Sequence, residues 1–215
     1  MPSPAELHEI VPEYRSANAL VRWLFLKRFE LVTRLARLET EAPLRILDLG
    51  CGEGLFLKTL AGQGSRHSLV GMDHHPKIES LAHAGVAFRR ADLAAPGGLP
   101  EGGFDRIFCL DVLEHLKDLG TPLTSIRGAL KPSGLLILSA PTENAFHKAC
   151  RLLLKGTLSE EAGPASSPHY HRAATLRREI EARGFTLIAE DWLPLPGPLS
   201  LFRFYAFQAP GGPPP

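Results

Sequence analysis

Short apolar runs alternate along this chain with stretches whose apolar residues recur at helical spacing. The runs at 44–49, 68–72, 86–91, 104–110, 135–141, 185–192 and 199–208 read as seven strands. LLILSAP, at 135–141, is apolar almost throughout, as a strand covered on both faces must be. Between the runs, the spacing predicts helices just after Gly54 and over 121–130, 146–154 and 174–183. Another helix is expected ahead of the first strand, from Glu13 to Glu39. Leu20, Trp23, Leu24, Leu31, Leu35 and Leu38 share its apolar face, and Arg22, Lys27, Arg28, Arg34 and Arg37 supply much of its polar side. Strands alternating with helices predict an α/β architecture, a doubly wound and mostly parallel sheet. The last two strands are joined by LPLPGP, too short for a crossover helix, so they form an antiparallel hairpin. The expected organisation is an N-terminal helical cap over 1–40, one domain over 41–208 and a disordered tail over 209–215. Residues 155–171, rich in Gly, Pro and Ser, read as a mobile loop of the kind that forms active-site lids.

The first strand runs into a turn, Asp48-Leu49-Gly50-Cys51-Gly52-Glu53-Gly54, before the next helical pattern. Glycines let a backbone turn sharply and approach a ligand where a Cβ would intrude. In a doubly wound sheet, ligands lie beyond the carboxyl ends of the strands. The spacing differs from the G-x-G-x-x-G of dinucleotide sites, and the acids Asp48 and Glu53 would repel a pyrophosphate. They suit a ligand that carries an ammonium and a sulfonium. Asp73 stands at the tip of the second strand, where an acid can accept both hydroxyls of a ribose. Asp92 ends the third strand. Alone it reads as a turn-initiating residue before Pro96-Gly97-Gly98, but it is also the third acid in order at a strand end.

Asp48-x-Gly50-x-Gly52-x-Gly54 resembles motif I of class I S-adenosylmethionine (SAM) dependent methyltransferases. FD-x-I-x-x-x-D-V-L-E-H-L at 104–116 resembles the fourth-strand segment of their small-molecule members, including those of quinone biosynthesis, and L-K-P-x-G-x-L-x-L at 130–138 fits the same family. The resemblance covers roughly residues 40–208. It implies a Rossmann-like sheet of seven strands with a C-terminal antiparallel hairpin, SAM as cofactor and S-adenosylhomocysteine (SAH) as its product. It also implies cofactor contacts at Asp48, Gly50, Cys51, Gly52 and Gly54, with Asp73 at the ribose and His74 at the adenine rim. Asp92 and Leu93 would meet the adenine ring, and Leu110 and Asp111 the methionyl end. The motifs of DNA amino methylation and of cytosine C5 attack, N/D-P-P-Y/F and Pro-Cys, are absent.

Composition narrows the partners. Lys plus Arg number 24 against 23 Asp plus Glu, so no nucleic-acid partner is expected from the overall charge. The three cysteines, Cys51, Cys109 and Cys150, form neither a C-x-x-C motif nor an obvious disulfide framework, which points to a reduced, cytoplasmic setting. No signal peptide and no membrane span is read from the sequence, although the basic first helix leaves peripheral membrane contact open. The oligomeric state is not legible.

Transfer from an activated sulfonium asks mainly for alignment, with a base if the acceptor is a hydroxyl. His115, on the helix expected after the fourth strand, and His171 are the catalytic candidates, and His169 lies in the same loop as His171. Asp111, Glu114 and His115 would share one helical face and could hold a divalent cation. No metal is expected to be required: three ligands from one turn need at least one more from elsewhere, and the resemblance extends to relatives without a metal, which implies that Glu114 simply opens the helix, favoured by its dipole. The favoured reading is transfer to an oxygen or carbon of a quinone-like, lipid or other small metabolite. Transfer to RNA or protein, and a SAM-binding module without transfer, are the competing classes.

Overall fold

The computed structural model describes residues 19–40, 42–100, 102–155 and 168–211. The start of the expected first helix, most of the expected lid and residues 212–215 lie outside them. The strands are β1 (Arg45–Leu49), β2 (Ser68–Asp73), β3 (Val86–Arg90), β4 (Phe104–Leu110), β5 (Leu130–Pro141), β6 (Thr186–Pro194) and β7 (Ser200–Gln208). The helices are α1 (Ala19–Leu35), α2 (Leu55–Gly62), α3 (Gly120–Ala129), α4 (Ala145–Lys155) and α5 (Ala173–Glu181).

All seven strands join one sheet in the order β3-β2-β1-β4-β5-β7-β6. β3, β2, β1, β4 and β5 pair in parallel, while β7 pairs antiparallel with both β5 and β6. The order reverses between β1 and β4, and that switch point opens a crevice at the strands' carboxyl ends. β5 begins five residues earlier than its apolar run, because Leu130 already pairs with Phe104 before the register shifts.

Successive strand residues point to opposite faces, so each continuous apolar run feeds two cores. On one face, Leu47, Ile107, Leu136 and Phe207 pack against α3 and α5 through Leu123, Ile126, Leu176 and Ile180. On the other, Ile46, Phe108, Ile137 and Phe204 pack with Phe56 and Leu57 of α2 and with Leu31, Val32 and Leu35 of α1. Phe56 is central there, its ring 4.8 Å from that of Phe108 and 5.3 Å from that of Phe29. The N-terminal helix therefore belongs to the same core as the sheet. Among the described residues, no helix is long and apolar enough to cross a membrane.

Four expectations need correction. Trp23, assigned to the apolar face, is 52% exposed, whereas Arg28, assigned to the polar side, is only 6% exposed. Asp111 does not open an α-helix: its φ is 57°, in the left-handed region, and the next element is a single 3₁₀ turn over Leu113–His115. The reason is that the Asp111 N–H donates to the Ser139 carbonyl at 3.2 Å, so the chain continues along the sheet before turning. Ala209, assigned to the tail, is buried and donates to the Gly134 carbonyl at 3.0 Å.

The turn after β1 needs its glycines to different degrees. Gly54 has φ 74°, and a Cβ there would lie 2.4 Å from the Phe88 ring. Gly52 has φ 54°, but a Cβ would meet nothing within 4 Å. Gly52→Ala should therefore cost the left-handed penalty alone, about 1–2 kcal/mol, and Gly54→Ala about 1–3 kcal/mol more. Thermal unfolding of the two variants checks this, and an equal loss in both would contradict the packing of Phe88.

Candidate active site

At the switch point lies a cleft of about 270 Å³. Asp48, Gly50, Cys51 and Gly52 line it from β1 and its turn, and Leu110 and Asp111 from the end of β4. The turn is fixed by its own backbone, since the Gly50 and Cys51 N–H groups both donate to the Met72 carbonyl, at 2.8 and 3.1 Å. α1 closes the cleft with Arg28, Phe29 and Val32.

Arg28 is held by a network that explains its burial. Its Nη2 pairs with the Asp111 carboxylate and donates to Ser139 Oγ at 3.1 Å, while Ser139 Oγ donates to Asp111 Oδ1 at 2.8 Å. The guanidinium also lies 4.3 Å from the centre of the Phe202 ring. A buried cation is tolerable only when paired and hydrogen-bonded in this way. Asp48 is 3% exposed, and its carboxyl is pushed up to about 8 by burial and, second, by the charge of Asp73. Burial also raises the thiols of Cys51 and Cys109, so neither is poised as a nucleophile.

The other residues assigned to the cofactor stand outside the cleft's lining. Asp73 accepts from the Gly52 N–H through Oδ2 and from the His75 N–H through Oδ1, both at 2.9 Å, tying the end of β2 to the glycine turn. His74 is exposed, its Nδ1 3.3 Å from Asp73 Oδ1. Asp92 is exposed just past β3, and its Oδ1 accepts from the Ala94 N–H at 2.9 Å, a local turn. Leu93 packs against the first core.

A second group of polar side chains adjoins Asp111. Glu114, in the 3₁₀ turn, is fully buried, and neither carboxyl oxygen has a hydrogen-bond partner among the described residues. Its carboxyl is raised well above the usual carboxylate range by burial and then by Asp111. This replaces the expectation of an acid at an exposed helix start. The segment 168–171 returns to the same turn, where the Tyr170 N–H donates to the Glu114 carbonyl at 2.7 Å. That brings the His169 ring edge-on to His115, with centres 4.7 Å apart, and sets His169 Nδ1 against the Glu143 carboxylate. His115 Nδ1 lies 3.4 Å from the Pro168 carbonyl. His171 is not part of this ring pair; its Nε2 is buried without a partner among the described residues.

Glu114, His115 and His169 offer donor atoms all within 4.8 Å of one another, the donor types of a divalent-cation site. Asp111, expected in that set, is engaged by Arg28 instead. A neutral Glu114 would have to give up its proton before it could ligate a cation.

Three residues here escaped sequence reasoning: Arg28, Ser139 and Glu143. For Arg28 a signal existed, since Leu24, Arg28, Leu31 and Leu35 follow helical spacing and place the cation in the apolar stripe. Glu143 carries no sequence signal.

A family model described as a methyltransferase domain matches residues 20–190. The ubiquinone biosynthesis O-methyltransferase of Bradyrhizobium diazoefficiens is 30% identical over 147 residues, which cover 65% of this chain and 54% of that protein. The trans-aconitate 2-methyltransferase of Methylobacterium nodulans is 33% identical over 122 residues, 54% of this chain and 46% of that one. The chain thus spans about half the length of the curated relatives it matches. Among solved structures, the N-methyltransferase NodS of Bradyrhizobium japonicum in complex with SAH superposes with a TM-score of 0.64 at 21% identity, over 96% of this chain and 95% of that one. That likeness concerns the fold.

The buried acids give stability a pH dependence. The Asp48 carboxyl titrates near 8 when folded and near 3.8 when unfolded, so the folded protein keeps a proton that the unfolded chain releases. The stability from Asp48 is complete below its unfolded value and is lost as pH rises through its folded one. Glu114 adds in the same direction, whereas Asp105 and Asp118, both lowered, act only in more acidic solution. The melting temperature of the ligand-free protein should fall from about pH 5 to about pH 8, and Asp48→Asn should reduce the slope. A rising melting temperature over that range would contradict a neutral Asp48.

Proposed function

Because the chain belongs to the SAM-dependent methyltransferase family, we propose that it carries a methyl group from SAM to an oxygen of a small-molecule acceptor. The observation that carries this is one cleft lined by both signs of charge, Arg28 with the carboxyl groups of Asp48 and Asp111. The amino-acid end of SAM presents a carboxylate, an ammonium and a sulfonium, and so needs both. When bound, SAM supplies a methyl already activated by its positive sulfur, which leaves alignment as the protein's main task.

Asp48, Gly50, Cys51, Gly52, Leu110 and Asp111 would hold the methionyl end, with Gly54 setting the turn. Each Asp73 oxygen accepts one backbone N–H and keeps a further lone pair for a ribose hydroxyl. His74, Asp92 and Leu93 would border the adenine. On the acceptor side, His115 with His169 beside it supplies imidazoles within reach of one another, in the part of the site first assigned to His115 and His171. An imidazole proton acceptor favours a hydroxyl acceptor. The relatives named for ubiquinone biosynthesis support a quinone-like one. The near-balance of charge argues against RNA as the acceptor.

Calorimetric titration should show binding of SAH and none of NAD; tight NAD binding without SAH would sink the reading. Asp73→Ala removes hydrogen bonds to a charged group, worth about 1.5–3 kcal/mol each, so SAH affinity should fall at least about tenfold. Unchanged affinity would mean that Asp73 does not meet the ribose. Labelled methyl from SAM, offered to a cell extract separated into lipid, RNA, protein and small molecules, should enter the lipid or small-molecule fraction. Transfer that survives exhaustive chelation supports transfer without a metal. Transfer that vanishes and returns with Mg²⁺, Mn²⁺ or Zn²⁺ would make Glu114, His115 and His169 metal ligands.

A further inference from the structure

We propose that Arg28 and Asp111 form a charge clasp across the cleft, one that opens by ion-pair exchange and only for a ligand carrying both an ammonium and a carboxylate. This role rests on the methyl-transfer reading above and concerns the same site. Both residues line the cleft, Arg28 from α1 and Asp111 from the end of β4. They are paired with each other, so in the ligand-free protein the two charges that a zwitterion needs already neutralise one another.

The clasp is unequal. The Arg28 side chain is 7% exposed and that of Asp111 30%. A ligand bearing only an ammonium would draw Asp111 away and leave the arginine without its counter-ion at depth. Removing one partner of a buried pair is strongly unfavourable, because the charge left behind is neither hydrated nor matched. A carboxylate on the same ligand cancels that loss, since each charge of the clasp then exchanges one opposite charge for another. The carboxylate is therefore the group that makes opening possible.

The surroundings hold both side chains while the exchange proceeds. Ser139 also lines the cleft, and its Oγ accepts from Arg28 Nη2 at 3.1 Å and donates to Asp111 Oδ1 at 2.8 Å. The Phe202 ring lies 4.3 Å from the guanidinium, a cation–π contact made without Asp111. The Asp111 backbone is fixed by its own N–H, which donates to the Ser139 carbonyl at 3.2 Å. None of these contacts is the ion pair itself, so separating the two charges leaves each of them in place. Asp48, the remaining carboxyl of the lining, is pushed up to about 8 by burial, which makes it the poorer counter-ion for an ammonium at neutral pH.

Calorimetric titration at neutral pH with three adenosine thioethers tests the clasp: SAH, decarboxylated SAH, which keeps the ammonium alone, and methylthioadenosine, which has neither group. On the wild type, SAH should bind at least about tenfold tighter than the other two, and those two should bind alike. In Arg28→Gln the pair is gone. SAH should then lose its advantage over decarboxylated SAH, and decarboxylated SAH should bind tighter than methylthioadenosine, its ammonium meeting an Asp111 that has no cation to leave. Methylthioadenosine should bind the variant as it binds the wild type, which controls for folding. Decarboxylated SAH binding well above methylthioadenosine on the wild type would mean that an ammonium finds a partner without opening the pair, and overturns the inference. SAH binding no tighter than methylthioadenosine overturns it too. Neither result needs a variant, and both leave the cofactor reading intact. If none of the three binds, the methyl-transfer reading itself falls, and the clasp with it.

Discussion

The ion pair between the buried Arg28 and the half-buried Asp111 is the constraint on which the site's layout depends. It fastens α1 over the crevice between β1 and β4, because an unpaired Arg28 at that depth would cost several kcal/mol. It also accounts for the departure at the end of β4. Asp111 can reach both Arg28 and Ser139 because its backbone is left-handed, and that conformation interrupts the helix implied by the D-V-L-E-H-L wording. The short 3₁₀ turn that replaces the helix buries Glu114 and presents His115 to the returning segment. A continuous helix from Asp111 would have put Asp111, Glu114 and His115 on one face. The ion pair separates the first from the other two.

Charge at the crevice is lopsided. Burial pushes the Asp48 carboxyl up to about 8 and raises that of the neighbouring Glu114 as well, with Arg28 the buried cation among the described residues. A neutral acid costs little to bury, so the ligand-free protein holds at Asp48 a carboxyl that a cationic ligand in the cleft would ionise. A sulfonium or ammonium beside Asp48 favours its charged form. Binding of such a ligand would therefore release a proton, and a pyrophosphate would oppose that ionisation.

The sheet was legible in the sequence because its signals are local. Seven apolar runs, a glycine turn and a short final connection decide strand number, parallel order and the closing hairpin, each within a few residues. The part of the site that rests on such local signals, Asp48 with Gly50, Cys51 and Gly52, lines the cleft. The remainder depends on contacts between residues far apart in sequence. Arg28 meets Asp111 across 83 positions, and His169 meets Glu143 across 26. Periodicity does not encode which cation a helix turns inward, nor which of two nearby histidines a buried carboxylate will select. His171 and His169 are equivalent as letters in a polar loop. The backbone bonds from Tyr170 and His171 to the Glu114 carbonyl, with Glu143 against His169, fix which of the flanking rings faces His115.

These two kinds of information divide the labour of the molecule. The end we assign to the cofactor is built from strand termini and one turn, where backbone bonds such as those from Gly50 and Cys51 to Met72 set the geometry almost irrespective of side chains. The end we assign to the acceptor is built from a helix, a 3₁₀ turn and a returning segment, held to the sheet by a few side-chain bonds. A change at one of those bonds, Arg28 with Asp111 or His169 with Glu143, can re-aim an acceptor group without disturbing strand pairing. Such a layout lets the acceptor vary on one fold: proteins 30% and 33% identical to this chain carry names as different as ubiquinone biosynthesis and trans-aconitate methylation.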